Sequence, residues 1–300
     1  MYINELFDKI DGKNLFHRVS KTHPLELYVG YNKDGQKTLE YRYNFIPQRV
    51  IGTNTITVIQ EKRTSYNVIS FSLLKDSNSD LFYKFCEDIC ECTEALSPSN
   101  DGYKTIVYRF NQWKKMFTSA TKDLLDENQQ MGLIGELLYL NILGEKIDFT
   151  TALNAWSGQD LTHKDFSYNN IWEEIKTIHS NKQTVKIASL EQLDGENGFL
   201  HIFALERMSK EYDGVSLNKL VLDTTKRFSN QIDIDIFFDK ISKQGYAYSE
   251  QYDEYNFAVV YHKRYVVTSA FPKLIKSNID SAIAKATYEI TIDSISSFEV

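Results

Sequence analysis

The chain has little proline, little cysteine and no long apolar run, and each shortage removes a class of protein. Four prolines in 300 residues leave no room for a proline-rich linker or array. The three cysteines, Cys86, Cys90 and Cys92, are clustered and odd in number. Their spacing matches no zinc template and no histidine pair follows them, so they read as reduced thiols on one helix, in a reducing compartment. The amino terminus, Met1-Tyr2-Ile3-Asn4-Glu5-Leu6, lacks the basic and apolar regions of a secretory signal. No apolar stretch approaches membrane-spanning length, so the expectation is a cytoplasmic protein with no membrane partner. A basic excess is missing as well. With 34 Lys and Arg against 41 Asp and Glu, the net charge is −7, which excludes a generic polycation-like nucleic-acid binder but not a local basic groove on an acidic body.

What remains is an ordinary globular composition, 42% hydrophobic and 25% charged, with a high aromatic share of 19 Tyr and 18 Phe. Two domains are expected, 1–100 and 101–300, divided near Ser97-Pro98-Ser99-Asn100-Asp101-Gly102, the clearest break in the chain. The first reads as mainly β, with strands over 25–32, 38–45, 55–60 and 66–74, then an amphipathic helix over 76–96. In the second, Ile106, Phe110, Trp113 and Phe117 recur at helical spacing. That helix carries Lys104, Arg109, Lys114, Lys115 and Lys122 with no acid between its ends, either a solvated face or a surface for nucleic-acid phosphates. The next helix starts at the N-cap Asp126 and runs to about Leu143. In it Glu136 is a lone carboxylate among apolar residues, and Gly132 and Gly135 precede it by one turn. Two glycines inside a helix cost roughly 1 kcal/mol each, a cost that close approach to other backbone would explain.

The most informative stretch is Asp165-Phe166-Ser167-Tyr168-Asn169-Asn170-Ile171-Trp172-Glu173-Glu174-Ile175-Lys176-Thr177. It reads as a β-hairpin, because Asn tolerates the left-handed conformation that a two-residue turn needs and the flanks are aromatic and β-branched. Counting outward from Asn169-Asn170 sets Tyr168 against Ile171, Ser167 against Trp172, Phe166 against Glu173 and Asp165 against Glu174. Alternation of side chains then puts Asp165, Ser167, Trp172, Glu174 and Lys176 on one face. Opposed carboxylates destabilise a ladder. A hard divalent cation such as Mg²⁺, which takes one or two carboxylates and keeps several waters, would supply a reason for them. Glu173 lies on the opposite face. Beyond the hairpin come strands over 184–188 and 198–208, helices over 216–228 and 231–243, a strand pair over 257–268 around His262-Lys263-Arg264, and a last strand over 286–292.

A helix bearing Glu136, a hairpin bearing Asp165, then Glu174-Ile175-Lys176 together resemble the PD-(D/E)XK nuclease superfamily. The flanks Gly132-Leu133-Ile134-Gly135, Ala155-Trp156-Ser157-Gly158 and Ser189-Leu190-Glu191-Gln192-Leu193 are similar to a narrower set of PD-(D/E)XK proteins found in bacterial restriction and phage-defence loci. The resemblance implies an α+β or α/β fold with a restriction-endonuclease-like core of a helix, a three-stranded meander, a second helix and a further strand. It implies that Asp165 and Glu174 bind Mg²⁺ (or Mn²⁺), with the Ile175 carbonyl as a further ligand, that Lys176 positions the attacking water, that Glu136 completes the site, and that Gln192 begins the second helix near the metal or a phosphate. Lys164 stands where the superfamily's proline would be, and Asp160 competes with Asp165 as the first acid. The function implied is a Mg²⁺-dependent DNA endonuclease of a restriction or phage-defence system. Dimerisation would let two sites cut both strands, and other defence subunits are expected partners. The alternative is a catalytically inactive DNA-binding or scaffolding subunit of a defence complex.

Overall fold

The computed structural model describes residues 3–44, 49–76, 79–96, 100–118, 124–157 and 164–300, the side chains of 100, 115–118, 231 and 250 excepted. It divides into two compact units, Met1–Thr121 and Lys122–Val300. The helix with the basic residues therefore goes with the first unit, whereas the sequence reading put the break at about residue 100, beside 97–99, which lie outside the described residues.

In the first unit a short helix α1 (Ile3–Asp8) precedes strands β1 (Leu15–Arg18), β2 (Glu26–Tyr31), β3 (Lys37–Tyr43), β4 (Ile56–Lys62) and β5 (Asn67–Leu73) and helices α2 (Ser79–Thr93) and α3 (Asn100–Thr118). The strands form one antiparallel sheet in the order β1-β2-β3-β5-β4. Phe82, Phe85 and Ile89 of α2 and Ile106 and Phe110 of α3 are fully buried, and the Phe71 ring of β5 packs tilted against that of Phe110, centres 4.7 Å apart. Ile106, Phe110 and Trp113 of the α3 periodicity thus form a core stripe; the side chain of Phe117 lies outside the described residues. Cys86 and Cys90 are free thiols buried on α2; burial pushes the first well above its ordinary value and the second up to about 12, so neither is a reactive thiolate.

Arg109 of α3 does not offer its charge to a phosphate, contrary to one sequence-based expectation. Its guanidinium grips buried Asp88 with two nitrogens, and Trp113 Nε1 donates to the same carboxylate at 2.8 Å. Removing a paired buried charge would leave its partner uncompensated, so this is a structural ion pair. Lys104 is exposed beside Asp101 at 3.4 Å, and Lys114 lies 5.5 Å from the Phe110 ring centre. The side chain of Lys115 and all of Lys122 lie outside the described residues.

The second unit begins with α4 (Glu127–Lys146), whose N-cap Asp126 forms a full capping box with Gln129, a device that stabilises a helix start by about 1 kcal/mol. After α5 (Phe149–Ala155) come β6 (Phe166–Tyr168), β7 (Ile171–His179), β8 (Thr184–Ile187), β9 (Gly198–Ser209), α6 (Leu217–Thr225), α7 (Gln231–Lys243), β10 (Tyr255–Val267) and β11 (Tyr288–Thr291). A four-stranded mixed sheet has the order β10-β9-β7-β6; β7 and β9 run parallel and the outer pairs antiparallel. The fold class is α+β, as the resemblance implies. Three details differ. The third strand of the expected meander, β8, leaves this sheet to pair with β11. A turn over 190–193, not a helix, follows it. And 257–268 is no strand pair but falls on one long strand, β10, with a bulge between Val259 and Tyr261 after which the pairing of His262-Lys263-Arg264 with β9 resumes in a shifted register.

Candidate active site

The hairpin has the register that turn chemistry dictates. Asn169 and Asn170 both take positive φ, 47° and 61°, the pair of left-handed residues that a type I′ turn requires. Phe166 faces Glu173, Ser167 faces Trp172 and Tyr168 faces Ile171. One residue further out, the Ile175 N–H donates to Asp165 Oδ2 at 2.7 Å, which ties the first acid across the ladder to the strand that carries Glu174 and Lys176.

Two faces of β7 have separate fates. On one, Trp172, Ile178 and their neighbours on β9, Leu200, Ile202 and Ala204, join an apolar cluster with β8, β10 and β11. Glu174 and Lys176 lie between Trp172 and Ile178 on that face. On the other, Ile175 and Thr177 take α4, which comes so near that a Cβ on Gly135 would stand 2.0 Å from Thr177 Oγ1. That explains one of the two helical glycines, though through a side chain and not through backbone. Gly132 has nothing within 4 Å of its would-be Cβ, so close approach does not account for it.

Glu174 is fully buried, and Lys176 Nζ donates to its Oε1 at 2.6 Å. Its other oxygen, Oε2, is buried and makes no hydrogen bond among the described residues. Burial first, and then repulsion from Asp165, push its carboxyl up to about 8 against the pull of Lys176. Asp165 is raised by burial, opposed by Lys176 and by the Ile175 N–H. Burial alone would lower the Lys176 ammonium, but Glu174, Asp165 and Glu136 outweigh it and the net shift is upward. The lysine is a fixed positive charge among mutually repelling acids.

Glu136 reaches this cluster from half-way along α4. Its Oε2 accepts from Trp156 Nε1 at 2.7 Å and from Gln244 Nε2 at 2.8 Å. Burial and then Asp165 raise it to about 8, while those two donors and Lys176 act in the other direction. The backbone of one donor is itself held: Lys240 of α7 donates to the Leu153 carbonyl at 2.9 Å and to that of Trp156, closing the end of α5. Neither Gln244 nor Lys240 was singled out in the sequence; both lie on or just past an ordinary amphipathic helix. Trp156 belonged to a motif that did carry the signal.

Lys164, just before Asp165, is bound on every side. Its Nζ donates to the carbonyls of Glu191, Gln192 and Asp194 at 2.7, 2.8 and 2.6 Å and lies 3.6 Å from the Trp172 ring centre. Burial lowers it to about 8. It ties the 190–194 turn to the acid-bearing strand. Gln192 belongs to that turn, and its Oε1 accepts from the Ala188 N–H at 2.7 Å. A side chain that closes its own turn does not begin a second helix, which corrects that part of the expectation. Asp160 lies outside the described residues. Glu173 turns away, as alternation requires: Tyr168 donates to its Oε1 at 3.1 Å and His201 Nε2 stands 3.0 Å from its Oε2.

Among the described residues no three His, Cys, Asp or Glu side chains gather as a metal cage. The cluster instead offers two carboxylates on one strand face, one with an unpartnered buried oxygen, next to main-chain carbonyls. That is an all-oxygen set of the sparse kind Mg²⁺ accepts, and a dication would offset the burial of both charges and the Asp165 repulsion that helps raise Glu174. No helix among the described residues is long and apolar enough to cross a membrane.

A family model described as "Putative PD-(D/E)XK family member, (DUF4420)" matches residues 4–293. No curated protein and no solved structure matches the chain.

Proposed function

The chain belongs to the family whose description covers residues 4–293, and on that footing we propose that it is a metal-dependent endonuclease that hydrolyses phosphodiester bonds in DNA, working in a restriction or phage-defence system. One observation carries the reading. On a single strand face, a buried Glu174 with one oxygen unpartnered among the described residues stands beside Lys176, and the backbone of the next residue holds Asp165.

In this reading Asp165 and Glu174 hold Mg²⁺ or Mn²⁺, with the Ile175 carbonyl a further ligand. The bound ion would lower the pKa of a coordinated water and offset charge at phosphorus. Lys176 keeps its proton through the cycle, because the surrounding acids hold its pKa up. It therefore orients the water and stabilises charge on a phosphoryl oxygen, and does not act as a base. Glu136, held protonated near neutral pH by burial and by Asp165, either donates to a phosphate oxygen or ionises when a dication arrives. Trp156 and Gln244 orient it. Lys164 and Gln192 hold the adjoining turn in place and are positioning residues.

Supercoiled plasmid DNA, methylated and unmethylated, incubated with Mg²⁺ or Mn²⁺ or with chelator, tests this. Nicking that needs the metal and vanishes in Lys176→Ala is the expected result. Absence of cutting with DNA still bound, and Lys176→Ala indistinguishable from wild type, would instead indicate a binding subunit.

A further inference from the structure

Two residues along the same strand face from the paired acids, the hairpin tip and the turn before β9 enclose a second concavity. Ser167, Tyr168, Asn169, Asn170, Ile171, Trp172, Glu196 and Asn197 line about 520 Å³, within the range of small-molecule sites. We propose that this concavity is a nucleobase subsite, which receives the base next to the scissile phosphate and favours a base carrying an exocyclic amine. The proposal rests on the nuclease reading for the phosphate's position, but the pocket can be tested without it.

Placement is the first argument. Ser167 and Trp172 continue the face of Asp165 and Glu174, and at a strand rise of about 3.3 Å per residue the pocket lies roughly 7 Å from the acids. That is a single-nucleotide step, so a strand with its phosphate at the acids brings a neighbouring base to the tip.

The lining is the second. Asn169, Asn170 and Asn197 all have positive φ, 47°, 61° and 55°. Glycine meets that backbone requirement with less strain than any other residue. Asparagine meets it too and adds an amide, and none of these three side-chain amides bonds to the protein among the described residues. With the Glu196 carboxylate they give the lining exposed donor- and acceptor-bearing side chains, with no Lys or Arg among the lining residues. Such a set repels phosphate and suits a base edge. Asn pairs with adenine N6/N7, and a carboxylate accepts from the cytosine N4 amine; thymine has no such amine to offer.

Construction of the wall is the third. The indole of Trp172 is 8% exposed, and its Nε1, buried without a hydrogen-bond partner among the described residues, lies against the turn at Gly195. The turn can lie against that indole because position 198 has no side chain: a Cβ on Gly198 would stand 1.9 Å from the Trp172 ring. The Trp172 N–H donates to the Asn197 carbonyl at 3.4 Å, fixing the two walls together.

Titration of the isotopically labelled full chain with dAMP, dCMP, dGMP and dTMP, followed by NMR of the Asn side-chain amides and the Trp172 indole N–H, tests the subsite with no cleavage required. Saturable shifts with the three amine-bearing nucleotides and about tenfold weaker response to dTMP are expected. Asn169→Gly and Asn197→Gly keep the left-handed backbone and remove the amides, so they should melt at or above the wild-type temperature and lose the response. Unshifted pocket signals, or an equal response to dTMP, would overturn the subsite. Cleavage-junction mapping on a randomised duplex separates the two ideas. Thymine depleted at one position beside the cut, with the bias flattened in Asn197→Gly and Glu196→Gln, supports both. Cutting without bias and without shifts removes the subsite and leaves the nuclease; shifts with no cutting remove the nuclease and leave the subsite.

Discussion

Replacing Glu174 by glutamine should stabilise the protein at pH 8 and leave it nearly unchanged at pH 4.5. Burial and Asp165 raise this carboxyl from 4.5 to about 8 in the folded chain. A folded pKa above the unfolded one means that the folded state prefers the proton. The stability from that preference is fully present below pH 4.5 and is lost as pH rises towards 8. One pKa unit corresponds to about 1.36 kcal/mol, so the loss accumulated by pH 8 is at most roughly 4 kcal/mol. Glutamine resembles the protonated acid in shape and cannot ionise, so it escapes the loss; the pull of the Lys176 bond is already contained in the value of about 8. The net gain at pH 8 is therefore up to roughly 4 kcal/mol, and near zero at pH 4.5. Urea unfolding of both proteins at the two pH values, in chelator, measures it. Added Mg²⁺ should then stabilise wild type by mass action and not the variant. A variant less stable than wild type at pH 8 in chelator would refute the reasoning, because the carboxylate would then be ionised and stabilised by Lys176.

Three further outcomes follow from particular contacts. Gly135→Ala pushes a methyl against Thr177 and should cost about 1–2 kcal/mol after the gain in helix propensity, with Thr177→Ala restoring most of it; Gly132→Ala, which meets open space, should gain up to about 1 kcal/mol, both read by urea unfolding. Lys164→Met strands three carbonyls and should lower stability by about 2–3 kcal/mol, while raising the Mg²⁺ concentration needed for half-maximal cleavage; Lys164→Arg should recover less than half, since a planar fork does not replace a compact ammonium. Arg109→Met should destabilise by about 3–5 kcal/mol by leaving Asp88 buried and uncompensated, with DNA affinity per folded molecule unchanged in a salt titration.

The hairpin was legible because its information is local. Two asparagines set the turn, the turn sets the register, and period-2 alternation sends Glu174 and Lys176 to one face and Glu173 to the other. Helix α4 was legible for the same reason, through Asp126 and the apolar run around Glu136. What failed was non-local or crowded. Pairing of β8 with β11 joins segments about a hundred residues apart and leaves no mark in either. The stretch after β8 is too short for a helix before Gly195 and becomes a turn, which changes the task of Gln192. In α3 the basic residues looked like one surface, but Arg109 is claimed by Asp88 on another helix. The supports of Glu136 from α7 could not be found from spacing, since nothing in Lys240 or Gln244 distinguishes them from other surface residues of an amphipathic helix.

The central claim is that Asp165, Glu174 and Lys176 form one metal-dependent hydrolytic centre. Initial rates of plasmid nicking in Mg²⁺, for wild type, Asp165→Asn, Lys176→Ala and Asp160→Asn at equal folded concentration, test it most directly. The account expects metal-dependent nicking in wild type and Asp160→Asn, and a loss of a hundredfold or more in the other two. Nicking that survives Lys176→Ala and Asp165→Asn, or that continues in chelator, would contradict it.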